Sequence, residues 1–128
     1  MIWIDASFAI EWYLNSPAVA RITLPPGEVG MVSQQYAETL VFFRKQDKEL
    51  SRILNALSPI RLIEPNRTQL LQASELYVKA RREPRCKASL ADAILASMVL
   101  DQGEVLFSLD QDFRYLSLRP WDEAKWRV

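Results

Sequence analysis

The sequence predicts an α/β domain built on a central, largely parallel sheet of four or five strands flanked by helices. Three observations lead there. Short apolar runs of buried-strand length alternate with segments of helical periodicity along the chain. Pro, Gly and Asn punctuate most of the boundaries between them. The length, 128 residues, suits one domain with one core. No repeat, low-complexity tract or linker divides it, so residues 1–128 are read as a single domain.

Taken in order, Ile2-Trp3-Ile4 is a compact apolar strand. From Ser7 the pattern turns helical, with Phe8, Ile10, Trp12, Tyr13 and Leu14 before the Asn15-Ser16-Pro17 break. A second, short helix is expected over Ala18 to Leu24, ended by Pro25-Pro26-Gly27. Val29 to Val32 reads as a strand weakened by Gly30. Ser33 is placed to cap a helix running to about Asp47. On it Tyr36, Leu40 and Phe43, with Ala37 and Val41 beside them, form a core-facing stripe.

A helix over roughly Lys48 to Leu57 follows, then a strand from Ile60 to Ile63 and a long helix from about Thr68 to Arg82. Ser89 to Leu100 is a very apolar helix that Gln102-Gly103 ends. Val105-Leu106-Phe107 is the fourth strand. The tail carries one last edge strand around Leu118 to Trp121.

Composition then removes whole classes of chemistry. The chain has no histidine, which excludes Ser-His-Asp and Cys-His hydrolases and most zinc sites. Sixteen basic residues balance sixteen acidic ones, so any attraction for nucleic acid must be local. The one cysteine, Cys86, forms no intrachain disulfide and fits a reducing compartment. No leader-like start and no apolar run of about 20 residues is present. A cytoplasmic protein that does not enter a membrane is the expectation.

Chemistry at neutral pH is left to carboxylates, and their positions are informative. In an open parallel sheet, ligands bind beyond the carboxyl ends of the strands. Asp5 ends the first strand and Asp110 follows the fourth, so a parallel sheet brings both to one edge. Asp92 is the lone charge in the apolar stretch SLADAILASMVL. It fits two readings: an S-x-x-D capping box with Ser89, or an acid held in a site. Glu38 lies off the apolar stripe of its helix, where a solvated first-turn glutamate would also explain it.

The motifs IDAS near the start, YAE at the opening of a helix, a DAILAS helix and SLDQDF after a strand together resemble a PIN-domain ribonuclease. More narrowly they resemble the VapC-like toxins of bacterial toxin–antitoxin pairs. The likeness spans nearly the whole chain in length and motif order. It implies a three-layer PIN-like fold and an acidic quartet of Asp5, Glu38, Asp92 and Asp110 that holds the catalytic metal. Glu38 lies in a variable stretch of the pattern. Asp112 matches an additional acid that either helps to hold a second ion or orients the turn. Ser7 and Ser108 match hydroxyl positions that hydrogen-bond beside those acids. The implied partners are an RNA substrate, a cognate small antitoxin and a second copy of the chain, with Trp12 and Tyr13 as candidate dimer contacts.

Oxygen-only ligands suit Mg²⁺ or Mn²⁺ and need no histidine. Such an ion activates water and neutralises charge on a phosphodiester. RNA also needs positive charge, and two clusters supply it: Arg44, Lys45 and Lys48, and the favoured group Arg81, Arg82, Arg85 and Lys87, whose chain leads into the Asp92 helix. Of the four tryptophans, Trp3 and Trp12 read as core, whereas Trp126 is a candidate for exposure near the C-terminus. Two rival readings stand beside the nuclease. One is a non-catalytic PIN-like module that binds RNA or protein. The other is a phosphatase of a different α/β fold with Asp5 as nucleophile, which Ser7 disfavours because a second acid is usual there.

Overall fold

Alternation along the strands decides the layers. In the computed structural model, which describes residues 1–25, 27–122 and 124–128, β1 (Ile2–Ile4) sends Trp3 to one face of the sheet and Ile4 to the other. On the Trp3 face lie α4 (Arg67–Ala80) and α5 (Leu90–Gln102), with the 3₁₀ helix Gln111–Leu116. On the Ile4 face lie α1 (Ala6–Tyr13), α2 (Ser33–Lys45) and α3 (Leu50–Leu57). Helices on both faces leave the sheet as the middle of three layers. Trp3 is fully buried, and truncating such a side chain to Ala costs about 3–5 kcal/mol.

The sheet has six strands, one more than the upper expectation. The order is β3 (Arg61–Ile63), β2 (Val29–Val32), β1, β4 (Val105–Phe107), β6 (Lys125–Arg127), β5 (Arg119–Asp122). The first four are parallel, β6 runs antiparallel to β4, and β5 antiparallel to β6. β5 is the expected edge strand. β6 was not foreseen: it is a three-residue strand with two exposed or half-exposed cations, and it lacks the apolar run that marks β1, β2 and β4. The chain passes from β1 outward to β2 and β3, then returns on the other side as β4. That reversal makes β1/β4 the topological switch point.

Other local expectations change as well. Residues 18–21 form turns and 22–24 run on without regular structure, so the expected helix is absent; Val19-to-Ser16 and Ile22-to-Val19 backbone hydrogen bonds close the turns. The β-branched Val19, Ile22 and Thr23 lie between Pro17 and Pro25, and the run is too short to nucleate a helix. Pro26, placed in the expected stop, lies outside the described residues. Ser33 is the first helical residue of α2, not its cap; the cap position is Val32, and the Ser33 hydroxyl donates to Glu64 at 2.9 Å. The buried line of α2 is Gln35, Thr39 and Phe43, which leaves Ala37 and Val41 exposed.

Two glycines have a positional reason. At Gly30 an added Cβ would collide with the Met1 side chain, so the residue that weakened the strand pattern is what permits its packing. Gly103 ends α5 with φ 67°, the left-handed conformation that favours glycine. Among the described residues no helix is long and apolar enough to cross a membrane. Tyr13 meets Phe43 edge-on at 4.9 Å, so this ring serves the packing of α1 on α2.

Candidate active site

Asp5 leaves the end of β1 and caps α1. It is 2% exposed. One carboxylate oxygen accepts from the Phe8 N–H at 2.9 Å, the N-cap bond that starts the helix. Ser7 Oγ donates to the same carboxylate at 2.8 Å, and Ser108 Oγ donates to its Oδ2 at 2.6 Å. Both hydroxyls also accept from the β4 side: Leu109 N–H donates to Ser7 Oγ at 3.2 Å and Asp110 N–H to Ser108 Oγ at 2.9 Å. Ser7 and Ser108 thus tie the ends of β1 and β4 to one another around Asp5. Burial pushes the Asp5 carboxyl up to about 7, although Ser108, Phe8 and Ser7 pull it down; the charge of Asp92 raises it further.

Asp110 begins the 3₁₀ helix and accepts the Asp112 N–H at 2.9 Å. Its pKa is raised by partial burial and, after the opposing Asp112 hydrogen bond, by the charges of Asp92 and Asp112. Asp112 turns elsewhere, accepting the Lys87 N–H at 3.2 Å. It therefore fastens the segment before α5 to the 3₁₀ helix.

Asp92 is a capping-box residue, as the first of its two readings expected. Its Oδ2 accepts the Ser89 N–H at 3.1 Å, and Ser89 Oγ accepts the Asp92 N–H at 3.1 Å, which completes the capping box. Its charge nevertheless raises the pKa of Asp5, Glu38 and Asp110 together. Glu38, on the solvent side of α2, has a carboxyl raised first by partial cover and second by Asp92. The fold thus brings all four acids of the expected quartet to one neighbourhood, with Asp92 as the common member.

Sequence reading missed Gln35. It is 1% exposed. Its Nε2 donates to Asp92 Oδ1 at 2.9 Å, and its Oε1 accepts the Ala6 N–H at 2.9 Å. One side chain thereby joins α2 to α5 and to the residue after Asp5. The available signal was the i, i+4, i+8 spacing of Gln35, Thr39 and Phe43, a helical face whose first two members are polar.

Arg81, Arg82, Arg85 and Lys87 are exposed on the segment between α4 and α5. Arg81 is engaged, donating to the Ala88 carbonyl at 3.2 Å and lying 5.9 Å from the Tyr77 ring centre. Arg44 and Lys45 close α2, six and seven residues beyond Glu38 and so about 9 Å or more away along the helix axis. Cys86 is a buried thiol. Trp126 is buried against Phe113 at 6.3 Å, and the exposed tryptophan of the tail is Trp121.

Among the described residues no lysine or arginine forms an ion pair with Asp5, Glu38, Asp92 or Asp110. Nor does any group of three or more Asp, Glu or Cys side chains stand ready to enclose an ion. The donor set still fits a hard divalent cation: it is all oxygen, uncompensated, and held where burial penalises the charged form. A nearby positive charge favours the ionised form of each raised carboxyl.

The PIN domain family model matches residues 2–117. No curated protein matches the chain significantly. Among solved structures, a Mycobacterium tuberculosis VapC20, described as a sarcin-ricin loop cleaving toxin, superposes with a TM-score of 0.68 at 18% identity, covering 94% of this chain and all of that one. A toxin–antitoxin complex from Klebsiella pneumoniae gives a TM-score of 0.64 at 22% identity, covering 88% of this chain and 90% of that one. At these identities the likeness is one of fold.

Proposed function

The chain belongs to the PIN-domain family, and from that premise we propose that it is a divalent-metal-dependent endoribonuclease acting as the toxin of a toxin–antitoxin pair. The observation that carries the reading is that Asp5 and Asp110 follow the adjacent parallel strands β1 and β4, and that the charge of Asp92 reaches both of them and Glu38, with no lysine or arginine among the described residues paired to any of the four. A phosphatase of another fold is set aside by the family. The structures with the same fold, one described as a sarcin-ricin loop cleaving toxin and one as a toxin–antitoxin complex, support the narrower assignment.

In this reading Asp5, Asp92 and Asp110 hold most of a Mg²⁺ or Mn²⁺ ion, and Glu38 completes the set. The ion, when bound, supplies an activated water and neutralises phosphate charge. Ser7 and Ser108 keep the Asp5 oxygens oriented through the bonds described above. Gln35 does the same for Asp92. Asp112, engaged with Lys87, orients the turn. Arg82, Arg85 and Lys87, with Arg81, offer charge to the RNA backbone beside the acids. A small antitoxin that covers the acidic edge, a second copy of the chain and a cytoplasmic setting complete the proposal.

The test is cleavage of an RNA substrate in Mn²⁺ or Mg²⁺ buffer. Wild type should cleave, EDTA should abolish cleavage, and Asp5→Asn and Asp92→Asn should lose it. Binding without cleavage in every metal would favour the non-catalytic module. In cells, growth arrest that requires Asp92 supports the toxin; equal arrest by Asp92→Asn sinks it.

A further inference from the structure

We propose that the exposed sheet face centred on Trp121 is a stacking platform for single-stranded RNA, placed beside the acidic edge. It deepens the nuclease reading by naming where the substrate strand lies. The basis is the way β6 and β5 extend the sheet past its helical cover. On β6, Trp126 points into the α4/α5 layer. Lys125 and Arg127, its neighbours, therefore occupy the other face. Lys125 Nζ lies 5.5 Å from the Phe107 ring centre, which fixes that face as the one α1 covers farther along the sheet.

Trp121 comes to these cations from β5. The Arg127 guanidinium lies 5.3 Å and the Lys125 ammonium 5.7 Å from its ring centre. Two cations on one indole restrain its plane, yet the residue is 51% exposed. Arg119, paired with Arg127 in register, adds a third positive charge along the strands. Arg21 contributes a fourth from across a cavity of about 240 Å³ that Phe107 and Lys125 also line. Lys125 is held in part by Asp122, at 3.9 Å. An aromatic face among cations matches what a single strand presents: a base that stacks and phosphates that pair. A protein interface core would instead need a wider apolar patch with few lysines.

The position relative to the acids is the second argument. Lys125 stands opposite Phe107 across the β4–β6 pair. The next residue, Ser108, donates its N–H to the Ala124 carbonyl at 2.9 Å and its hydroxyl to Asp5 at 2.6 Å. β5 is two strand spacings from β4, about 10 Å. A strand whose scissile phosphate faces Asp5 and Asp110 therefore passes over Trp121 on one side, with the Arg82-to-Lys87 segment on the other.

The test uses the full chain, a fluorescein-labelled 12-nucleotide oligouridine and EDTA to keep the RNA intact. Wild type should bind it and show tryptophan quenching. Trp121→Ala should weaken binding about tenfold. Trp121→Phe should keep most of the affinity but lose most of the quenching. No binding by wild type, affinity within twofold in Trp121→Ala, or undiminished quenching in Trp121→Phe would each overturn the platform. Unchanged RNA affinity with an altered oligomeric state in Trp121→Ala would also overturn it, assigning the face to a protein contact. Mn²⁺-dependent cleavage, measured separately, judges the nuclease reading: binding that depends on Trp121 without cleavage retains the platform and sinks the nuclease.

Discussion

Gln35 and Asp92, 57 positions apart, meet in the interior through a 2.9 Å hydrogen bond from amide to carboxylate. The other end of the same amide receives the Ala6 N–H. This strut fixes the distance between two elements that each carry an acid of the site, so its removal has both a stability and a functional readout.

Replacing Gln35 with Leu leaves the Ala6 N–H and an Asp92 oxygen without their partner. Each unsatisfied buried group costs about 1–3 kcal/mol. The urea midpoint should fall with little change in slope. The Mn²⁺ concentration needed for half-maximal cleavage should rise, and Gln35→Glu should not restore it. An unchanged Mn²⁺ requirement would reduce Gln35 to a packing role.

Asp5 makes metal-free stability depend on pH in an unusual direction. Its carboxyl titrates near 7 folded and 3.8 unfolded, so between those values the native state holds the extra proton. Stability contributed by Asp5 is therefore complete below about pH 4 and lost as pH rises toward 7. Burial at this depth makes the loss a few kcal/mol, on the order of 1.4 per unit. Urea titrations in EDTA at several pH values should show wild type gaining on Asp5→Asn as pH falls. Parallel curves would remove the assignment.

Metal should act against that loss. A divalent cation that binds only the native state stabilises it by about 2.7 kcal/mol at one hundred times its Kd. Mn²⁺ should thus raise the melting temperature by several degrees at pH 7. The rise should vanish in Asp110→Asn, a change at a half-buried, proposed ligand that leaves the β1–β4 hydroxyl bonds in place. A full Mn²⁺ shift in Asp110→Asn would take that residue out of the metal set.

The proposed phosphate contacts of Arg82 and Arg85 predict a salt signature. Each phosphate neutralised on a single strand contributes about 0.7 to the slope of log K against log salt. The Arg82→Gln/Arg85→Gln double variant should flatten that slope by about 1.4. An equal slope, measured by anisotropy in EDTA, would show that these side chains do not touch the backbone.

How much of this was legible in the chain depends on the kind of signal. Asp5 and Asp110 could be placed from strand ends alone, because parallel strands share their carboxyl edge. The capping box of Ser89 and Asp92 is local and was readable as a four-residue pattern. Its coincidence with the acidic cluster was not, since a cap reports nothing about what faces it. Gln35 stayed hidden because a polar residue on a helix looks solvated until a partner on another element is known. Trp126 is buried instead of exposed for a similar reason: its face follows from the β4–β6 and β5–β6 pairing, which short polar strands do not announce.

The sequence by itself therefore determined the alternation of the first four strands with the main helices, the class of chemistry left by an absence of histidine, and the strand ends that carry acids. These rest on composition and on periodicities of a few residues. Tertiary structure alone decided that β6 enters between β4 and β5, that Ser108 ties Asp5 to β4, and that Gln35 braces Asp92. The Gln35–Asp92 and Asp5–Ser108 contacts join residues 57 and 103 positions apart. Their energies depend on burial and on matched donors and acceptors, which exist only once the layers close around the sheet.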